Sequence, residues 1–457
     1  MICLAIQVDN VYILMNHNKI TNHAKFPLGN KIHQYFFISA LVTIFTLGCM
    51  WGAINLLLIG KGESFHTIDY SWVLAHGHAM VFGFVGLFIM GFSYRAVPYY
   101  KDTALWNSKL AYSTLPLMII GILVQAFAHI ISPKAPYLLL GIASGIIQIA
   151  AVVIFMIVIM RTIRNAPVKR ASDGFASTAI GWFLIAAILN PIIFWLFEST
   201  ATQEEFLFNV SSFNIPYRDI QTLGIAVVMI LGVSLHVLPH EYGFREPSKG
   251  WKRFLLWGVN GAVLFGVISF TLGMTTGVHW WHAANGISYV VLLIAAIGTP
   301  IQFRLFNKVP EGKSDRSLKF IRAAYIWFII AMLLLAFGPY YMFGIYLPMT
   351  GGDNPFSHAY FGAYRHALTV GFIMMMIVAM SSKMVPKFAG TDLRNTSSLW
   401  VVFILLNLGN TWRITSQIFT DFNPEAFKLI GFSGFIELIA LGLWGYELVR
   451  NMKKSIG

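Results

Sequence analysis

"LAHGHAMVFGFVGLFIMGFSYRAVPYY", residues 74–100, is apolar enough to enter a lipid bilayer, yet two histidines, His76 and His78, stand at its head. Ionisable side chains inside a membrane are costly, and those that persist there are functional candidates. The stretch also recurs. "HAMVFGFVGLFIMGFSYRAVP" runs from His78 to Pro98 and "HALTVGFIMMMIVAMSSKMVP" from His366 to Pro386. "DIQTLGIAVVMILGVSLHVLP" runs from Asp219 to Pro239. In all three a glycine (Gly83, Gly371, Gly224) follows the first residue by five positions, and the proline follows that glycine by fifteen.

Working outward, apolar runs of about 20 residues, each enough to cross the hydrocarbon core, fall near 35–59, 72–98, 109–132, 135–160, 176–199, 219–239, 252–275, 281–305, 320–345, 360–386, 397–417 and 428–448. The repeated phrases are the second, sixth and tenth of these. Self-similarity at a fixed period is a clue to architecture. It predicts an all-α integral membrane protein of twelve transmembrane helices in three four-helix repeats, approximately 35–160, 176–305 and 320–448. Residues 1–34 are then a cytoplasmic N-terminal tail, and 35–457 form a single membrane domain.

The composition agrees, with 57% hydrophobic and only 11% charged residues, against about a quarter charged in soluble domains. The net charge of +13 is a matter of topology. Of the 32 Lys and Arg, 26 fall in the terminal segments and in the loops after even-numbered runs. By the positive-inside rule both termini are cytoplasmic, and nucleic acid is not implied. Cys3 and Cys49 form no CxxC or CxxCH pattern, which leaves a disulfide framework, a thiolate zinc site and covalent c-type heme attachment unsupported. No signal-peptide pattern precedes the first run, and Met15 is an alternative start to Met1.

This topology puts His66, His76, His78, His129, His279, His282, His358 and His366 on the outer side. His17, His23, His33, His236 and His240 fall on the cytoplasmic side. An outer cluster of imidazoles without thiolates suits heme, copper or zinc. The second and tenth runs share a direction, so His366 lies at one depth with His76 and His78, and a ligand clamped between two helices follows. His76 and His78 are about 200° apart around a helix, so only one of them faces that ligand. A b-type heme fits best, since two trans imidazoles hold its iron without a covalent anchor. Gly77, Gly83 and Gly371 offer close backbone approach, and Arg413 and Arg365 offer cations for the propionates. Arg413 has snorkelling to the interface as its alternative. In "GVHWWHAANG", residues 277–286, His279 and His282 share one helical face and with His358 make a candidate copper site.

These residues resemble two related groups. "HGHAMVF", residues 76–82, is similar to the His-Gly-x-x-Met-x-Phe of heme–copper oxidase subunit I. "HALTVGFIMMMIVAMSSKMVPKFAGTDLRN", from His366, looks like that family's tenth helix, and "LLIAAIGTPIQF", residues 292–303, like its eighth. The resemblance implies a low-spin heme b held by His76 and His366, whereas the internal repeat pairs His78 with His366. The chain departs from the oxidases where they build their binuclear centre. Tyr364 stands where the high-spin heme ligand belongs, Asp219 heads the sixth run without a copper-ligand histidine, and His279 and His282 replace an adjacent His-His pair. Oxygen reduction at a standard centre is therefore not expected. The phrases at 76–98 and 366–371 are closer to the NnrS family, twelve-helix bacterial membrane proteins that carry heme and copper and are tied to nitric oxide metabolism. That resemblance implies a heme protein of the bacterial cytoplasmic (inner) membrane, an oxidoreductase acting on NO or O2 if it is an enzyme, supplied by an electron-donor protein or quinol.

Two other classes compete. A copper or heme transporter would use the outer histidines and some of the 19 methionines as ligands, although methionines within runs such as "FIMMMIVAM" also fill gaps in apolar packing. A subunit without cofactors would merely pack against a partner. Glu437, in the middle of the twelfth run, is costly if charged. Asp219 beside Arg218 reads as an interfacial ion pair or a helix N-terminal charge at the outer end of the sixth run.

Overall fold

With no water in the bilayer core, backbone N–H and C=O groups must be satisfied within their own segment, and helices result. The computed structural model describes residues 31–351, 356–388, 390 and 396–454 and is all-helical among them. The membrane helices are α1 (Ile32–Gly62), α2 (Tyr70–Lys101), α3 (Ser108–Ile131), α4 (Tyr137–Asn165), α5 (Ser172–Glu198) and α6 (Gln203–Tyr242). They continue as α7 (Lys249–Thr276), α8 (His279–Phe303), α9 (Leu318–Thr350), α10 (His358–Phe388), α11 (Trp400–Phe419) and α12 (Ala426–Lys454). Eleven are long and apolar enough to cross a membrane; α11 is the shorter, more polar twelfth.

Helix α11 shows how the polarity is arranged. Val401, Ile404, Leu408 and Trp412 follow one another by three or four positions and are exposed, while Asn410, Arg413, Ser416 and Gln417 are buried. Its apolar stripe faces outward, toward lipid, and its polar stripe faces the bundle. Ile, Leu, Val and Trp side chains are likewise exposed along most of the other helices, which is the surface an acyl-chain solvent requires. The bundle closes on itself through α12 and α1. Gly60 and Gly434 allow this: a Cβ on either would stand 2.9 Å from backbone atoms of the opposite helix, the close approach that small residues permit in membranes.

The three helices that carry the repeated phrase are the most buried. Within one 18-residue apolar stretch of each span, 61% is buried in α2, 78% in α6 and 83% in α10, and no other of the eleven spans exceeds 56%. Each widens into π-type turns at a matching place, Ala79–Gly86, Ile220–Val227 and Ala367–Met374. These turns begin immediately after His78, Asp219 and His366. A π-turn re-aims the side chains that follow it and often marks a functional position.

Helix α6 departs from expectation by beginning at Gln203 rather than near 219. Glu204, Glu205 and Pro216 give the preceding segment the look of a loop. The chain widens into a π-turn at Val210–Asn214 just ahead of Pro216, and this eases the proline into a continuous helix. Arg218 and Asp219 are consequently well inside α6. They form no ion pair with each other; Arg218 Nη1 donates to Gln221 Oε1 at 2.8 Å. His33 lies within α1, buried edge-on between Phe37 and Phe388. Residues 1–30, with His17, His23 and the choice between Met1 and Met15, lie outside the described residues.

Candidate functional site

Helix α1 breaks between Ile44 and Cys49, and α2 places His76 against this break. The His76 Nδ1 lies 2.9 Å from the carbonyl oxygen of Gly48. A carbonyl can only accept, so Nδ1 carries the proton and Nε2 keeps its lone pair. Gly52, one turn along α1, leaves room for the ring, since a Cβ there would lie 2.5 Å from Cε1 of His76. On α10 the same arrangement is made locally, with His366 Nδ1 3.0 Å from the carbonyl oxygen of Gly362. His366 is within electrostatic reach of His76, Arg413 and Arg365, and His76 of Arg218 and Arg413. The structure thus brings His76, His366, Arg413 and Arg365 into one region.

The guanidinium groups there are unusually short of partners. Arg413 is buried, which removes the snorkelling alternative, and its Nε and Nη1 have no hydrogen-bond partner. Arg365 Nε and Nη2 are in the same condition. Glu437 on α12 is within electrostatic reach of Arg413, but its Oε1 is also buried without a partner. Buried polar atoms are normally satisfied, and this concentration of unmatched donors calls for an anionic group.

The NnrS protein family model matches residues 29–453. The chain belongs to the NnrS family. NnrS proteins are multi-pass membrane proteins associated with the response to nitric oxide. No curated protein matches the chain.

In this NnrS protein His78 turns to the other side of α2. Its ring stacks on Phe82, with centroids 4.7 Å apart, and it faces His129 and Gln148 of α3 and α4. His129 Nδ1 donates in turn to Glu198 Oε1 at 3.0 Å. Buried Gln125, Gln148 and Asn190 continue this polar network.

The candidate copper residues are more dispersed. His279 and His282 are exposed at the start of α8, His282 packing on Gly273. His358, at the start of α10, faces Arg365 and His66. No group of three or more His, Cys, Asp or Glu side chains assembles at metal-binding spacing among the described residues.

The expectation for the glycines is corrected. A Cβ on Gly77 would meet Arg218, one on Gly83 would meet Thr43, and one on Gly371 would meet Trp327 and Asn410. Neighbouring helices already fill these spaces, so the glycines serve helix packing.

Sequence reasoning passed over Gly48 and Gly52 and misplaced Arg218. The first two have a legible signal, a pair of glycines four residues apart in the first run. Arg218 was assigned to the interface because the start of α6 was placed too late.

Proposed function

We propose that this NnrS-family protein holds a b-type heme between His76 and His366 and acts in redox or nitric oxide chemistry at a bacterial cytoplasmic membrane. The observation that carries the reading is the matched pair of Nδ1-to-carbonyl bonds, 2.9 Å at His76 and 3.0 Å at His366. Metal-ligating histidines characteristically anchor one ring nitrogen in this way, which fixes the tautomer and presents the other nitrogen. Arg413 and Arg365, with their unmatched buried donors, fit two propionates. When bound, the heme supplies a one-electron couple.

The protein's own contribution is positioning. Gly48 and Gly362 orient the two imidazoles, the arginines set the charge, and the buried surroundings limit access of water. His76 is the better partner for His366 because His78 faces the α3–α4 side. The three-repeat reading draws support from the π-turns that follow His78, Asp219 and His366 at matching positions, while cytoplasmic termini and an outward-facing site rest on the distribution of Lys and Arg.

The test is a reduced-minus-oxidised visible spectrum of the purified protein and three variants. A low-spin b-type α-band should be present in the wild type and in His78→Ala, and lost in His76→Ala and His366→Ala. Folded wild-type protein that takes up no heme would refute the reading.

A further inference from the structure

At the basic end of the bundle, far along α2 from His76, a cleft opens between α2, α4, α5 and α6. About 650 Å³ of space lies in and before it, open solvent at the mouth included. The polar groups sit at the helix ends. Lys101 closes α2, and its Nζ lies 2.5 Å from Asp173 Oδ2 at the start of α5. Arg170, in the loop before α5, donates through its backbone N–H to the same carboxylate oxygen at 2.9 Å and through Nε to the Tyr100 carbonyl at 3.2 Å. Deeper in, the walls are apolar, formed by Phe92, Val97, Ile159, Ile163, Met229 and Val233.

One contact decides what the head of the cleft requires. Arg170 Nη1 lies 3.5 Å from Nδ1 of His236. A guanidinium can only donate, so Nδ1 is the acceptor and Nε2 carries a proton. That Nε2 is buried without a hydrogen-bond partner, and His236 lines the cleft. The only carboxylate in the lining, Asp173, is already engaged by Lys101 and Arg170. The last turns of α4 add Arg161 and Arg164, and the loop that follows adds Lys169. A donor without an acceptor, beside a guanidinium and above apolar walls, matches an acceptor-rich anionic head joined to a hydrocarbon tail. Basic pockets between transmembrane helices bind anionic lipid head groups in this manner.

We infer that this cleft is a binding site for an anionic phospholipid of the adjoining leaflet. The phosphodiester accepts from Arg170 and His236 Nε2, and an acyl chain lies along the α2, α4 and α6 walls. The inference stands apart from the heme reading and shares no residue with it.

Native mass spectrometry of the full chain, released from detergent with phosphatidylglycerol or with phosphatidylcholine of identical chains, tests it. The wild type should retain one phosphatidylglycerol at least tenfold better than phosphatidylcholine. Arg170→Gln and, separately, Val233→Trp should each reduce retention at least tenfold, with unchanged helical circular dichroism and monodisperse elution. Equal retention of the two lipids by the wild type would overturn the proposal without reference to any variant. Undiminished binding in both variants would place the lipid elsewhere and also overturn it. Competition by glycerol 3-phosphate at comparable concentration would show a free-phosphate site instead of a lipid site.

Discussion

A Cβ on Gly52 would stand 2.5 Å from Cε1 of His76 and 2.9 Å from its Nδ1, so His76 keeps its bond to Gly48 because position 52 has no side chain. Gly52→Ala should push the ring away from Gly48 and release the Nδ1 anchor, while the flexible end of the side chain absorbs the clash at small cost to folding. The expected outcome is a several-fold lower heme content per folded chain, read by pyridine hemochromogen assay. Equal heme in variant and wild type would show that the ring does not depend on that space.

Removing either unmatched guanidinium should weaken heme retention. A hydrogen bond to a charged group contributes about 1.5–3 kcal/mol, so Arg413→Leu and Arg365→Leu should each speed heme transfer to apomyoglobin by roughly 10- to 100-fold. Arg413→Leu also leaves Glu437 buried without its neighbouring positive charge. The double variant Arg413→Leu/Glu437→Gln should recover stability but not heme retention, which separates the two roles of Arg413.

Glu198 ties α5 to α2 and to both sides of the α3–α4 connection. Its carboxylate accepts from His129 Nδ1 at 3.0 Å, Ser132 Oγ at 2.5 Å and Ser71 Oγ at 3.3 Å. Glu198→Ala strands these donors at a largely buried position. A loss of about 2–4 kcal/mol is expected, with Glu198→Gln losing less, as measured by denaturant unfolding in micelles. Wild-type stability in the alanine variant would mean that water replaces the carboxylate freely.

Asp421, in the connection between α11 and α12, accepts from Tyr341 Oη at 2.8 Å and Ser357 Oγ at 2.5 Å. Burial is the largest influence on it and raises its pKa above the ordinary aspartate value, with the two hydrogen bonds opposing the rise. A raised folded-state pKa means that the folded protein holds the proton more tightly than the unfolded chain. The contribution is fully present below the unfolded pKa and is lost as pH rises through the folded one. Mild acidification from neutrality should therefore stabilise this junction, and Asp421→Asn should flatten the dependence. Local hydrogen exchange at the α11–α12 connection, followed between pH 4 and 7, reads it; the same slope in wild type and variant would assign the effect to another group.

The architecture was legible because bilayer crossing imposes a length and a composition that a sequence displays directly. All twelve apolar runs appear as helices, and only the beginning of α6 was seriously misplaced. There a π-turn accommodates Pro216, and no pattern of hydropathy announces such a turn. The candidate histidines were legible as polar exceptions in apolar surroundings, but their partners were not. Spacing alone aligned His78 with His366, and the π-turns keep that equivalence along the chain. In space it is His76 that faces the region of His366, because two positions on a helix differ by about 200° and only neighbouring helices decide which direction is the interior.

The sequence by itself determined that this chain spans a membrane through helices, that three of them carry one recurring phrase, and that imidazoles head two of those three. Only the tertiary structure decided that these three helices are the most buried, that Gly48 of α1 holds His76 of α2 in one tautomer, and that Arg413 and Arg365 are left with unmatched donors. The physical reason is one of range. Bilayer crossing is a condition on consecutive residues, whereas a site is a condition on residues from α1, α2, α10, α11 and α12 that meet only when the helices pack.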